Sequence, residues 1–187
     1  MSNLPPDLAE ALERVRSRLG GTLPLVWYAD ATASTNDVAG QLASRGAGDG
    51  TIVIADRQTA GRGRLGRTWF SPPGAGLYVS LVVRAATWGA AAFPLMTLAA
   101  GVALAEAVRA CTGVPVEIKW PNDLVIGRRK LAGILTEASG TGGLDGAVVG
   151  FGINLRTAAY PPQSPLCTRR PGPMPPDLRN RRRSPGS

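Results

Sequence analysis

The chain has no histidine and only two cysteines among its 187 residues. Without an imidazole, Ser-His-Asp and Cys-His nucleophilic catalysis and every His-containing metal site are excluded, while carboxylate-only metal binding survives. Cys111 falls in an expected helix and Cys167 in the C-terminal segment, so the pair makes neither a metal-type cluster nor a disulfide framework; that usage points to a reducing, cytoplasmic setting. Aromatic residues are scarce, at 5%, and no RNA-recognition or zinc-finger pattern occurs. The stretch from Met1 to Asp7 lacks a basic segment followed by an apolar one, so no secretory signal is read there. The longest uncharged run, Ala85 to Ala105, is rich in alanine and broken by Pro94, Thr97 and Gly101, and it reads as a buried helix rather than a membrane span.

Acidic residues are outnumbered 13 to 21, giving a net charge of +8, which ordinarily suggests nucleic acid or an anionic surface. The distribution argues otherwise. Residues 1–155 hold 14 basic and 12 acidic side chains, while residues 156–187 hold 7 and 1. The body is nearly neutral, so neither a specific nucleic acid nor a membrane is expected as a partner. With 44% hydrophobic residues, the length suits one domain with a real core. Residues 1–160 are assigned to it, and 161–187 to a disordered Pro/Arg-rich tail.

Leu8, Leu12, Val15 and Leu19 recur at helical spacing, with Asp7 as the expected N-cap and Glu10 as its capping-box partner. Leu23–Ala29 reads as a strand, Ser34 to Asp37 as the cap of a helix carrying Val38 and Leu42, and Thr51–Ala55 as a buried strand. A Gly-rich loop runs from Gln58 to Arg67. Gly76–Arg84 alternates as Leu77, Val79, Leu81 and Val83 against Tyr78, Ser80 and Val82, as a strand with one face more buried does. A helix through Phe93, Leu98, Val102 and Val108 follows, then short strands at Val116–Lys119, Leu124–Ile126, Lys130–Ala138 and Gly146–Asn154. Helices first and strands later predict an α/β (α+β) domain with a mixed, largely antiparallel sheet flanked by helices.

Gly61-Arg62-Gly63-Arg64-Leu65-Gly66 matches the spacing of the dinucleotide fingerprint but not its context. No helix can open at Ser71-Pro72-Pro73, and no acid lies between Asp56 and Glu106 to hold a ribose. Three glycines and two arginines within six residues, with Arg67 directly after them, instead describe either a basic surface hairpin or a loop that wraps negative charge and is mobile when empty. Lys119-Trp120-Pro121-Asn122-Asp123 is either an ordinary turn or a site where Asp123 holds Mg²⁺, Asn122 meets a phosphate and Lys119 balances charge. Lys130 is either a solvated strand-edge lysine or an ammonium set against a packed sheet for an anion. Ser34, Thr35 and Asn36 cap a helix or receive polar groups of a ligand. Gln58 is a loop amide or part of that site, and Trp69 is a core aromatic or a stacking platform for a base.

The combination is more specific than its parts. Ser34-Thr35-Asn36, Gln58 to Trp69, Lys119 to Asp123, Lys130 to Leu135 and Gly150-Phe151-Gly152-Ile153-Asn154 resemble, in order and spacing, the catalytic domain of biotin protein ligases, over about residues 23–160. That resemblance implies a fold related to class II aminoacyl-tRNA synthetases and a two-step reaction with Mg-ATP. Biotin becomes biotinyl-5′-adenylate with release of pyrophosphate, and a lysine of a biotin carboxyl carrier protein then takes the biotinyl group. It implies that Ser34, Thr35, Asn36 and Gln58 meet the polar ring of biotin, and that Arg62, Gly63 and Arg64 close over its carboxylate and the phosphate. Lys130 lies at the developing charge, making Arg64 and Lys130 the catalytic pair. Arg67, Trp69, Asn122, Asp123 and Asn154 are implied for ATP, and Asp123 for Mg²⁺. A homodimer is carried as an expected assembly. A two-step adenylation needs charge neutralisation and positioning but no protein nucleophile, which a chain without histidine can supply.

Two departures from the family stand out. No winged-helix domain fits before residue 23, and Pro and Arg replace the small β-barrel that usually follows the Gly-x-Gly-Ile-Asn segment. The rival readings are a lipoate-type acyl ligase of the same fold, a basic nucleic-acid-binding module, and a truncated, inactive ligase remnant. An octanoyltransferase needs a cysteine nucleophile, and Cys111 lies in an apolar helix. Of 16 prolines, 8 lie between Pro161 and Pro185, a composition that GC-rich coding DNA yields out of frame. Translation of the gene in its other two frames beyond codon 162 is expected to show an apolar, strand-patterned continuation; absence of one in both frames removes the frameshift reading.

Overall fold

The computed structural model describes residues 4–20, 23–139 and 145–156. In chain order the elements are α1 (Pro6–Val15), β1 (Val26–Thr32), α2 (Thr35–Ser44), β2 (Ile52–Gln58), β3 (Gly76–Arg84), α3 (Ala85–Trp88), α4 (Met96–Thr112), β4 (Glu117–Lys119), β5 (Asp123–Ile126), β6 (Arg129–Ser139) and β7 (Gly146–Asn154). Short 3₁₀ turns cover Arg16–Leu19, Arg64–Gly66 and Ala90–Leu95. The strands form one seven-stranded sheet in the order β1-β2-β3-β7-β6-β5-β4. Only β1 and β2 are parallel, because α2 crosses between them; every later pair is antiparallel. This is the mixed, largely antiparallel sheet that the sequence predicts.

Each face of the sheet is covered by one helix. On the first face Ala39 and Ala43 of α2 pack on Val53, Val82 and Val148. Alanine at those two positions lets the helix approach the sheet closely. On the second face Ala105 and Val108 of α4 pack against Leu124, Ala132 and Ile153, while Met96 and Leu104 meet Val83, Ile134 and Val149. Strands buried under both layers read as continuous apolar runs, which is why Ala147 to Val149 carries no polar residue.

The structure departs from the sequence reading in three places and, at β3, shows which face is the more buried. Asp7 does not cap α1: Pro5 stands at the N-cap without a side-chain bond, and Pro6, whose ring presets a helical φ and lacks the N–H that would go unpaired, takes the first turn. The first strand begins at Val26, not Leu23. The face of β3 that holds Tyr78, Ser80 and Val82 is the more deeply buried, since it is the one beneath α2. The uncharged run from Ala85 is not a single buried helix but α3, a 3₁₀ turn containing Pro94, and α4. Ala91–Thr112 is long and apolar enough, by length and composition, to cross a membrane. Here it lies along the sheet with Gly101, Ala105 and Val108 buried, and with Leu95, Leu98 and Val102 on the exposed side. The expected tail, 161–187, lies outside the described residues.

Val102 is 47% exposed and Val108 is 8% exposed on the same helix. Val108→Ala is expected to lower stability by about 2 kcal/mol, two buried methylene equivalents plus the cavity they leave. Val102→Ala is expected to change it by less than about 0.5 kcal/mol. Paired thermal denaturation curves check the contrast.

Candidate active site

The register of the sheet builds the floor. Lys119, Asp123, Gly133, Gly152, Tyr78, Ala55 and Ala29 follow one another across the strands as directly paired residues and so share a face. The next row on that face runs Leu135, Gly150, Ser80, Val53, Trp27. Gly133, Gly152 and Gly150 therefore leave a lane without side chains on the face that α2 covers. Other groups fill it. A Cβ on Gly150 would stand 2.0 Å from Asn36 Oδ1, and one on Gly152 would stand 2.5 Å from Trp69 Nε1. On Gly133 it would meet Trp69 Cζ3 at 2.8 Å. Isolated glycines in a strand mark such close approaches.

At one end of the lane, the first turn of α2 is held by a chain of hydrogen bonds. Ser34 occupies the N-cap position but makes no capping bond. Instead Gln58 Oε1 accepts from the Thr35 N–H (2.8 Å) and from the Thr35 hydroxyl (3.1 Å). The Ser80 hydroxyl, fully buried, lies 2.8 Å from Thr35 Oγ1 and 2.6 Å from Asn36 Oδ1, to which it donates. Asn36 Nδ2 donates to Glu137 Oε2 at 2.6 Å. Gln58 Nε2 donates to Ser71 Oγ at 3.0 Å, and that hydroxyl donates to the Trp69 carbonyl. The Ser34 side chain, 3% exposed as a residue, is thus left available at a polar corner in which its neighbours are fixed.

At the other end lies positive charge. Lys130 Nζ sits 5.1 Å above the Trp69 ring and 2.7 Å from Asp123 Oδ1. The Trp69 indole Nε1 is buried with no hydrogen-bond partner, a donor waiting for an acceptor. The Gly61–Arg67 loop is a defined hairpin: Trp69 N–H donates to Gly61 O, Gly63 N–H donates to Arg67 O, and Arg62 bridges Thr68. Leu65 at its tip takes φ 60°, a left-handed conformation that costs a branched side chain about 1 kcal/mol or more. Arg64 and Arg67 are exposed on that tip. Arg62 instead turns back to Asp37 and Glu137. Its hydrogen bond to Asp37 raises its pKa above the ordinary arginine value, against the opposing effect of partial burial.

A family model for the biotin/lipoate A/B protein ligase family matches residues 28–154. The chain belongs to that family. It is 42% identical to the bifunctional ligase/repressor BirA of Escherichia coli over 153 residues, 81% of this chain and 46% of that protein. It is 39% identical to the biotin–[acetyl-CoA-carboxylase] ligase of Mycobacterium tuberculosis over 68% of this chain and 48% of that one. A biotin protein ligase of Leishmania major, solved with biotinyl-5-AMP, aligns at TM-score 0.66 and 30% identity over 74% of this chain and 60% of that one. The Aquifex aeolicus enzyme with biotin and ATP aligns at TM-score 0.60 and 34% identity over 73% and 55%. The chain spans about half the length, or less, of the bacterial relatives it matches, from 39% to 53%.

Of the residues that the ligase resemblance names, Ser34, Thr35, Asn36 and Gln58 come together at the polar end, and Trp69, Lys130 and Asp123 at the charged end. Asn122 Nδ2 donates to Ile134 O and Asn154 Nδ2 to Lys130 O, so both amides brace β6. Asp123 does not fit a metal-ligand role: Lys130 occupies its carboxylate, and no group of three His, Cys, Asp or Glu gathers among the described residues. Ser80, Asp37, Glu137 and the glycine lane were not singled out from sequence. Strand alternation puts Ser80 on one face with Tyr78, and glycines inside two apolar strands are a readable signal; the acids carry none until α2 is laid beside β6.

Ser80→Ala leaves Asn36 Oδ1 without its buried donor. It is expected to lower stability by about 1–3 kcal/mol, and Ser80→Thr, which keeps the hydroxyl, by less. Thermal denaturation of both variants checks this.

Proposed function

We propose that this chain is the catalytic unit of a biotin protein ligase, joining biotin to AMP and passing the biotinyl group to a lysine of a carboxylase carrier domain. One observation supports this reading above the rest: a polar corner of Ser34, Thr35 and Gln58 and a cationic end at Lys130 stand on one face of the sheet, at opposite ends of the glycine lane that Asn36 and Trp69 cover. Biotin has a neutral ring of hydrogen-bonding groups at one end and a carboxylate at the other, which suits such unlike ends. The names of the relatives point the same way.

In this reading the biotin carboxylate oxygen attacks the α-phosphorus of ATP and pyrophosphate leaves. Two anions must approach, so the work of the protein is charge neutralisation and alignment. Lys130, held by Asp123 over Trp69, and Arg64 at the loop tip carry the neutralisation; Arg67 takes the triphosphate. The carrier amine then attacks the acyl carbon and AMP leaves. Magnesium enters only as the counter-ion that ATP brings, in keeping with its reluctance to shed water for protein ligands. The setting is cytoplasmic, where ATP and carrier are both present.

The test is incubation of the full chain with biotin, ATP, Mg²⁺ and a biotin carrier domain, read by mass spectrometry for biotinyl-adenylate and modified carrier, with lipoate as the control acid. Adenylate from biotin alone is the expected result; adenylate from lipoate alone overturns it. Lys130→Ala should slow adenylation about a hundredfold, the cost of removing one charge partner from such a site, and an unchanged rate removes Lys130 from the mechanism.

A further inference from the structure

Of the three arginines in the loop, only Arg62 has a side-chain partner among the described residues. Its fork closes on Asp37 through Nη1 to Oδ2 (2.9 Å) and Nη2 to Oδ1 (2.6 Å), and Nη2 also reaches both oxygens of Glu137 at 3.1 and 3.3 Å. Glu137 receives Asn36 as well. Three segments distant in sequence, the first turn of α2, β6 and the base of the hairpin, thereby meet at one guanidinium. The side chains of Arg64 and Arg67 make no hydrogen bond or ion pair among the described residues.

We infer that Asp37 and Glu137 are positioning residues for the biotin slot, and that Arg62 is the latch they hold rather than a ligand to the substrate anion. The inference rests on the function proposed above for its ligand, though not for its geometry. Turning Arg62 to a carboxylate or phosphate would break a bidentate pair and leave Asp37 and Glu137 as like charges beside an anionic substrate, a double cost. Holding it fixes the loop. Arg62 bridges Thr68, and it follows Gly61, where a Cβ would stand 2.5 Å from the Trp69 carbonyl. Once Arg62 is anchored, both limbs of the hairpin base are set and only the tip with Arg64, Leu65 and Arg67 is left to move. Through Glu137 and Asn36 the same anchor reaches the polar corner above Gly150.

The full chain is compared as wild type, Arg62→Met, the double variant Asp37→Asn with Glu137→Gln, and Asp37→Glu. The first readout is trypsin cleavage after Arg64 and Arg67 without ligand, followed by mass spectrometry beside the melting temperature. Cleavage is expected to rise about tenfold in Arg62→Met and in the double variant, as a charge-assisted fork is lost, and to return toward wild type in Asp37→Glu. The second readout is biotin affinity by calorimetry, which should weaken by a similar factor in both. If Arg62 is instead an anion ligand, the double variant frees it, and biotin should bind as well as to wild type or better; that result overturns the inference, as does unchanged cleavage. Should the double variant fail to fold, the single variants Asp37→Asn and Glu137→Gln carry the same comparison. A wild-type chain that does not bind biotin would defeat the proposed function while the cleavage ratio still decides the latch.

Discussion

Asn36 occupies the space above Gly150 that any other residue's Cβ would fill, and the candidate site depends on that contact. A side chain at residue 150 would lift the first turn of α2 off the sheet. With glycine there, the amide drops between β3 and β6, where it accepts from Ser80 and donates to Glu137. Thr35, one residue back, then falls within reach of Gln58, and Asp37, one residue on, within reach of Arg62. A steric permission in one strand thus sets the positions of groups on α2, β2, β3, β6 and the Arg62 hairpin.

Charge is distributed in the site with the same economy. The body is almost neutral, so no long-range field gathers anions, and attraction has to come from a few placed groups. Lys130 is held in place by Asp123 and by the Trp69 face; Arg62 is held by two carboxylates; the side chains of Arg64 and Arg67 have no partner among the described residues. The paired cations are fixed against the sheet and the hairpin base, and the unpaired ones stand at the exposed loop tip. That division lets a loop rich in arginine keep a defined hairpin in spite of its own repulsion.

The two faces of the sheet differ in purpose. Beneath α4 the packing is mostly apolar, built from Leu124, Ala132, Ile134 and Val149 with alanines of the helix, and the hydroxyls of Thr97 and Thr136 bond each other at 2.9 Å. Beneath α2 the apolar cluster covers only half of the sheet, and the remainder is glycine, serine and amide. Buried polar groups are tolerated on that side because most of them are bonded; the Trp69 Nε1 at the lane and the Ser139 Oγ are exceptions among the described residues.

The amino-acid sequence by itself determined the strand positions from Gly76 onward, the mixed sheet, and the neutrality of the body, since alternation and β-branched runs are local properties. It also carried Ser34, Thr35, Asn36, Gln58, Lys130 and Trp69 as site residues, because their order and spacing resemble one family. It misjudged the cap of α1, where two prolines outweigh an aspartate, and the run from Ala85, where Pro94 splits a helix that composition alone makes continuous. Tertiary structure alone decided which side chains share a partner. Whether Asp123 meets a metal or Lys130, whether Arg62 faces an anion or Asp37 and Glu137, and whether Ser80 lies in the core or at the site all depend on contacts between residues 7 to 101 positions apart. No local pattern encodes such contacts, because the energy that selects them appears only when the sheet register and the seat of α2 bring the groups within hydrogen-bonding distance.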